Sequence, residues 1–307
     1  MRVFVAGATG VAGRRAVRAL VAQGHYVTAV SRSTSKKRLL ETLGAVPVEL
    51  DVFDPGEVQV AVQGQDAIVN LATKIPPLNR AMIPGAWAEN NRIRTHVSRN
   101  LVTAGLAGDV ERYIQESLAF MYPDQGDAWI DEEVAVDPPR YASSVLNAEA
   151  QAARFTKEGR KGVVLRFGQF YAPDAVHTRS MIATARRGIS PFVGPPDAFS
   201  PVVHADDVAG AVVAALEASP GVYNVVDDEP LRQRQLADAL ASALSRAELR
   251  FPPSALMRLG GAKVRMLMRS QRVSNRRFRG ATSWTPKFPS ARHGLQVTVE
   301  QAEGVDA

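Results

Sequence analysis

"VFVAGATGVAGRRAV", residues 3–17, runs from an apolar, β-branched stretch through three glycines into an amphipathic stretch. Gly7, Gly10 and Gly13 stand at GxxGxxG spacing between a strand pattern and a helix pattern. In that setting Gly7 permits the tight turn and Gly10 lets backbone approach a pyrophosphate. Gly13 allows the helix to pack closely on the strand. Thr9 and Val11 complete the turn as candidate phosphate-contacting positions. A glycine triplet alone is weak, but one placed strand–turn–helix is a specific signal for a bound dinucleotide. The alternative is a glycine-rich turn with no ligand.

Outward from this turn the pattern repeats. "YVTAV" (26–30), "VPVEL" (46–50), "DAIVNLA" (66–72), "RYIQES" (112–117) and "GVVLRFG" (162–168) read as strands, nearly continuous in apolarity. Such runs fit strands covered on both faces of a parallel sheet. Residues 11–23, 35–43, 56–63 and about 86–107 carry helical periodicity between them. Repeated βαβ units with right-handed crossovers predict a doubly wound parallel α/β sheet. Residues 1–170 are expected to form the dinucleotide-binding region. Residues 171–307 are expected to form a smaller substrate lobe, interleaved with the sheet and too fragmented for a core of its own.

Composition narrows the function classes. Charged residues make up 22% of 307, an ordinary share for a globular protein. The net charge of +6 gathers in a few arginine clusters, so it marks local sites rather than a nucleic-acid-binding surface. The absence of cysteine excludes disulfides, thiolate nucleophiles and Cys-ligated metals, and suits a reducing cytoplasm. The first residues hold too short an apolar run for a signal peptide, and no stretch nears the ~18 apolar residues of a membrane span. A soluble, cytoplasmic protein acting on a small molecule is the expectation.

The end of the second strand, "VTAVSRSTSKKR", decides the cofactor. An NAD enzyme places a carboxylate here to bond the ribose 2′-hydroxyl; this chain has Ser31, Arg32 and Ser33. A guanidinium grips a 2′-phosphate that a carboxylate would repel, so NADP(H) is predicted. Arg14 is a second candidate cation.

Several segments, in order, resemble the extended short-chain dehydrogenase/reductase family, the NAD(P)-dependent epimerase/dehydratase group. They are "LDVFD" (50–54), "DAIVNLAT" (66–73), "LRFGQFYAP" (165–173), "FSPVVHADDVAGAVVAAL" (199–216) and "GVYNVVDDEP" (221–230). The resemblance implies a Rossmann fold with Asp51 and Val52 flanking the adenine, and Leu71, Ala72 and Thr73 near the ribose and pyrophosphate. It also implies homodimers paired through the fourth and fifth helices of the sheet domain. The family's chemistry uses Ser/Thr, Tyr and Lys. Here Tyr141 fits the YxxxK tyrosine, but Val145 holds the lysine position. Ser117 lies about one position from the family's serine, and Arg94 replaces an asparagine frequent in relatives.

Tyr141 and Val145 are i and i+4, one face of an expected helix. Without a nearby cation the phenol titrates near ~10, leaving about one molecule in a thousand as phenolate at neutral pH. The pair is then a poor base but an adequate acid, which favours reduction over alcohol oxidation or epimerisation. The expected activity is NADPH-dependent reduction of a carbonyl or activated C=C bond. A sugar-nucleotide epimerase/dehydratase and a non-catalytic NADP(H)-binding sensor are the alternatives. Lys74 leads the candidates to replace the lysine, followed by Arg94, His96 and Arg140. The alternatives are that Tyr141 is a packing residue and Ser117 a strand-end residue. "HADD" (204–207) reads as a helix N-terminus rather than a metal site. The tail "RSQRVSNRRFRG" (269–280) carries five arginines and is a candidate contact for an anionic substrate group.

Overall fold

The computed structural model describes residues 1–76, 83, 85–253 and 265–306. The apolar runs of the first half form β1 (Arg2–Ala6), β2 (Tyr26–Ser31), β3 (Val46–Glu49), β4 (Ala67–Asn70) and β5 (Arg112–Leu118). A two-residue β6 (Trp129–Ile130) precedes β7 (Lys161–Phe167) and the short strands β8 (Gln169–Tyr171), β9 (Phe199–Ser200) and β10 (Val202–His204). Next come β11 (Gly221–Val225), β12 (Leu231–Arg232) and β13 (Arg272–Val273). Seven strands make one sheet in the order β3-β2-β1-β4-β5-β7-β11, every neighbouring pair parallel. The order reverses between β1 and β4, the switch point outside which ligands of such sheets bind.

The sheet carries helices on both faces. Helices α1 (Val11–Ala22) and α8 (Ala205–Ala214) pack on one face, over Val3, Val5, Val69, Ile114, Leu165 and Val225. On the other lie α3 (Pro55–Val62), α5 (Ser98–Ala107) and α6 (Ser144–Lys157), over Phe4, Ile68, Tyr113 and Val164. Helix α2 (Thr34–Thr42) follows β2, and α4 (Ala88–Arg92) leads into α5. Both β11 and α8 come from beyond residue 170, so the carboxyl segment serves the sheet layer as well as the lobe.

Three features depart from the periodicity reading. The helix over 88–107 contains a π-helical turn at Ile93–Val97, which carries Arg94 into the interior at 2% exposure. The helix after the two prolines starts at Ser144, and Tyr141 sits before it in the 3₁₀ turn Arg140–Ala142. Pro139 is extended (ψ 153°) and delays the helix. Finally, the lobe does have its own core. Helices α7 (Val176–Ala185), α9 (Gln233–Ala243) and Ala291–Asp306 each contribute part of a cluster that includes Ile182, Leu236, Leu240, Leu295 and Val299. No helix among the described residues is long and apolar enough to cross a membrane.

His204 caps α8: its Nδ1 accepts from the Asp206 amide at 3.2 Å. Asp207 accepts from the Lys287 and Phe288 amides at 2.5 and 3.0 Å and anchors the following segment. Burial lowers the His204 pKa from 6.5 to about 4, with Asp206 opposing and Arg15 and Lys287 assisting. An imidazole that stays neutral in the fold while the unfolded chain protonates loses stability as pH falls from 6.5 towards 4. Asp207, raised by burial to about 6, runs the other way over roughly the same window. His204→Asn keeps a capping side chain and removes only the first effect. Between pH 7 and pH 5 the wild type should therefore lose on the order of 2 kcal/mol more stability than the variant, roughly a 3 °C larger fall in midpoint. Thermal unfolding at the two pH values checks this; equal falls would contradict it.

Candidate active site and cofactor cradle

The glycine turn leaves β1 at Ala6. Gly7 adopts φ +77°, and a Cβ there would lie 2.4 Å from the Leu71 carbonyl. A Cβ on Gly13 would lie 2.1 Å from the Gly7 oxygen and 2.8 Å from the Ala8 carbonyl carbon. Both glycines are demanded by the protein's own packing. Gly10 is different: its nearest neighbour is the Gly7 oxygen at 3.4 Å, an ordinary contact. Gly10 is also the N-cap of α1, and no side chain caps the first amides. A helix N-terminus with open donors, reached past a glycine that the interior does not require, fits a pyrophosphate. Thr9 and Val11 flank it, both part-exposed.

The other residues expected to meet the cofactor follow the same sheet edge. Leu71, Ala72 and Thr73 leave β4, whose end is held by buried Asn70. The Asn70 amide nitrogen donates to Ser98 Oγ, Tyr113 Oη and Gln115 Oε1, and its Oδ1 accepts from the Ala72 amide at 3.2 Å. Asp51 and Val52 follow β3. Asp51 accepts from the Phe53 amide at 2.9 Å, and Asn100 donates to the Val52 and Phe53 carbonyls. At the end of β2, Ser31 is buried and Arg32 and Ser33 are exposed; Ser33 caps α2. Arg14 is instead committed to Asp174, beside Arg15, which also bonds Asp206 at 2.7 Å.

The described residues around Tyr141 form an apolar corner. Val145 is buried with Leu118, Met121, Ala142 and Met266, and Phe120 and Tyr141 pack against them. The Tyr141 hydroxyl donates to Met266 Sδ at 3.6 Å, and its ring lies 5.0 Å from that of Trp87. Burial pushes the phenol up to about 12, with the Arg269 charge working against it. Arg269 is itself held by Asp137 at 2.7 Å. A cation whose field reaches Tyr141 thus comes from the arginine-rich tail, which no local pattern connects with the tyrosine. The cations expected from sequence to replace the lysine are paired or exposed in this structure. Lys74 pairs with Glu89 at 2.6 Å, and Arg94 with Glu116 at 2.8 Å. His96 bonds Arg99 at 3.2 Å and Arg140 is exposed.

Ser117 is not brought to Tyr141. It is fully buried and donates to Glu149 on α6 at 2.5 Å. Glu149 takes a two-point bond from Arg166, which donates onward to Tyr122 Oη; that hydroxyl donates to Asn224. Strand alternation is the reason: Ser117 faces α6, and the next residue, Leu118, enters the Tyr141 cluster. Within the tail, Arg277 pairs with Glu133 and Arg279 with Asp228. Arg272 and Arg276 lie 4.1 and 5.1 Å from the Trp129 ring.

A parallel sheet with a glycine cradle at its switch point has counterparts among known proteins. Residues 3–225 match the model of the NAD dependent epimerase/dehydratase family. The chain belongs to that family. Its relatives there include a 3-diazoavenalumate denitrifying reductase from a Streptomyces species, 34% identical over 96% of this chain and 99% of the relative. The human epimerase family protein SDR39U1 is 28% identical over 97% of this chain and all of its own. A crystal structure of human SDR39U1 (isoform 2) with NADPH superimposes with a TM-score of 0.83 at 26% identity, covering 98% and 99% of the two chains. A UDP-glucose 4-epimerase from Thermotoga maritima matches with a TM-score of 0.82 at 21% identity over both whole chains, a likeness that speaks for the fold.

The two kinds of glycine separate experimentally. Gly13→Ala should lower the thermal midpoint by several degrees, because the methyl group meets backbone. Gly10→Ala should leave the midpoint within about 2 °C but weaken NADPH binding at least tenfold. Calorimetric unfolding and fluorescence titration of NADPH measure the two effects. Unchanged NADPH affinity in Gly10→Ala would remove the turn from the cofactor site.

Proposed function

We propose that this family member is an NADPH-dependent oxidoreductase that reduces a small organic acceptor, a carbonyl compound or an activated C=C bond. The observation that carries the reading is the apolar corner around a tyrosine whose pKa lies near 12. At pH 7 only roughly one phenol in a hundred thousand is ionised at that value. Alcohol oxidation needs the phenolate; reduction needs the phenol, which is always present. Epimerisation needs both directions and fares worst. When bound, NADPH supplies the hydride. Gly7, Gly10 and Gly13 with Thr9 and Val11 hold its pyrophosphate, and Leu71, Ala72 and Thr73 its ribose. Asp51 and Val52 flank the adenine. Arg32 and Ser33 meet the 2′-phosphate at a strand end that lacks a competing carboxylate.

Tyr141 is the proton donor in this reading, and Ser117 supports α6 through Glu149. Ser117 then does not steady a carbonyl oxygen as charge develops, which weights the proposal towards conjugated C=C acceptors, whose enolate takes its proton from water. A second reading is favoured by the same corner. The Streptomyces relative is named for a diazo substrate and its denitrification. Hydride replacing a diazo nitrogen pair with release of dinitrogen needs no proton donor. An anionic group on the substrate would meet Arg272 and Arg276, which carry no carboxylate partner among the described ion pairs. A homodimer belongs to the same proposal.

NADPH absorbance followed against ketones, conjugated enones, diazo compounds and nucleotide sugars tests the reading. Arg32→Glu should shrink the preference for NADPH over NADH at least tenfold. Tyr141→Phe should cost a hundredfold or more on ketones and less than tenfold on conjugated C=C bonds. Tight NADPH binding without oxidation by any acceptor would leave a non-catalytic NADP(H) sensor. Turnover of nucleotide sugars alone would leave an epimerase or dehydratase.

A further inference from the structure

Two short strand ladders of the lobe place arginines and aromatic rings opposite one another. Arg272 on β13 is the register partner of Trp129 on β6, and Arg232 on β12 is the partner of Phe199 on β9. The Gln271 amide donates to the Phe199 carbonyl at 2.9 Å and joins the two pairs. The side chains stack accordingly. The Arg232 guanidinium lies 4.3 Å from the Phe199 ring centre, and Arg272 lies 5.3 Å from that ring and 4.1 Å from Trp129. Arg276, at the start of the short helix Arg276–Ala281, lies 5.1 Å from Trp129. The result is an alternation of three cations and two rings. Gln271 Nε2 also donates to the Phe120 and Tyr122 carbonyls, which fixes β13 to the segment leaving the carboxyl end of β5. Ligands of such sheets bind at that edge.

We propose that this ladder is an oxyanion site, which takes the carboxylate or phosphate group of a small anionic molecule on Arg272 and Arg276. The inference deepens the anionic-substrate part of the reading above and rests on that reading only for its place in the reaction. A guanidinium stacked on a ring spends its face and keeps its in-plane N–H donors for a two-point bond to an oxyanion. Arg232 has spent its donors, on the Asp197 carbonyl and on the Asp127 carboxylate at 3.0 Å. Arg272 and Arg276 have not. Among the described residues the Arg272 guanidinium bonds only the Asp127 carbonyl, at 3.5 Å, and the Arg276 guanidinium has neither a hydrogen-bond nor a carboxylate partner. The Arg232 bond holds the Asp127 carboxyl below the usual carboxylate range, with the Arg272 charge assisting. Three cations thus share that anion, while Glu133, Asp137 and Asp228 are committed to Arg277, Arg269 and Arg279. Like charges set this close repel, and an incoming oxyanion relieves the repulsion. Trp129 is 42% exposed and Arg276 is exposed, so this end of the ladder is open to solvent.

With NADP⁺ filling the cofactor cradle, calorimetric titration of benzoate, phenyl phosphate and the neutral benzamide reads the site directly. At least one of the two anions should bind in the submillimolar range, and benzamide should not; the tighter anion identifies the source as a carboxylate or a phosphate. Arg272→Gln should weaken that binding about tenfold or more. Trp129→Leu removes no charge, yet it should weaken the same binding about fivefold by releasing both guanidinia, and Trp129→Phe should restore most of the affinity. NADPH affinity and thermal midpoint report whether each variant keeps the fold. Anion binding that both Arg272→Gln and Trp129→Leu weaken supports the site even if no acceptor is reduced, a result that would sink the reductase reading alone. No binding of either anion, benzamide binding as well as benzoate, or unchanged affinity in Arg272→Gln or Trp129→Leu would overturn the ladder as an oxyanion site and leave the reductase standing.

Discussion

Between Gly13 and the Gly7 carbonyl there is no room for a methyl group; a Cβ would stand 2.1 Å from that oxygen. The contact brings the first turn of α1 down onto the end of β1. Gly7, at φ +77°, turns against Leu71 at the end of β4 in the same step. Strands β1 and β4 are the two between which the sheet order reverses. One steric constraint therefore sets the switch-point crevice, the direction of the α1 amides and the start of the segment Leu71–Thr73. Arg15, on the second turn of α1, then reaches Asp174 and Asp206 and ties the lobe's first loop and the α8 terminus to the same helix.

Polar groups are abundant in the interior, and two of their networks hold helices to the sheet. The Glu149–Arg166 pair, joined to Ser117, Tyr122 and Asn224, fastens α6 to β5, β7 and β11. Arg94 and Glu116 form a second buried pair, reached because a π-helical turn carries the arginine inward. Removing one partner of such a pair leaves an uncompensated charge and costs about 3–5 kcal/mol. These residues thus have a structural role that does not depend on touching substrate. The described side chains packed around Tyr141 are aliphatic, thioether and aromatic. Desolvation there outweighs the field of Arg269, because Asp137 already neutralises that guanidinium and solvent screens it.

The regular half of the protein was readable from its amino acids. Continuous β-branched runs fit strands covered on both faces, and the strands at 2–6, 26–30, 112–117 and 162–168 lie within a residue or two of their observed bounds. The glycine turn and the strand ends at 31–33, 51–52 and 71–73 were readable because they are local patterns. The lobe's core was not, since its apolar stripes come from three helices far apart in the chain, each unremarkable alone. The π-helical turn escaped for a similar reason: one extra residue in a turn changes the direction of Arg94 without changing the apolar pattern around it.

Sequence alone determined which chemical groups are available: a glycine turn, an arginine where a carboxylate would select NAD, and a tyrosine without its lysine. Only the tertiary structure decided what those groups face. Ser117 and Leu118 are neighbours in the chain, but strand alternation sends one to Glu149 and the other to Tyr141. Lys74 and Arg94 both read from sequence as candidates to replace a lysine, but their carboxylate partners, Glu89 and Glu116, are visible only in the fold. Composition and spacing specify a side chain's chemistry. Its protonation and its role depend on burial and on the charges within a few ångströms, and those belong to the folded chain.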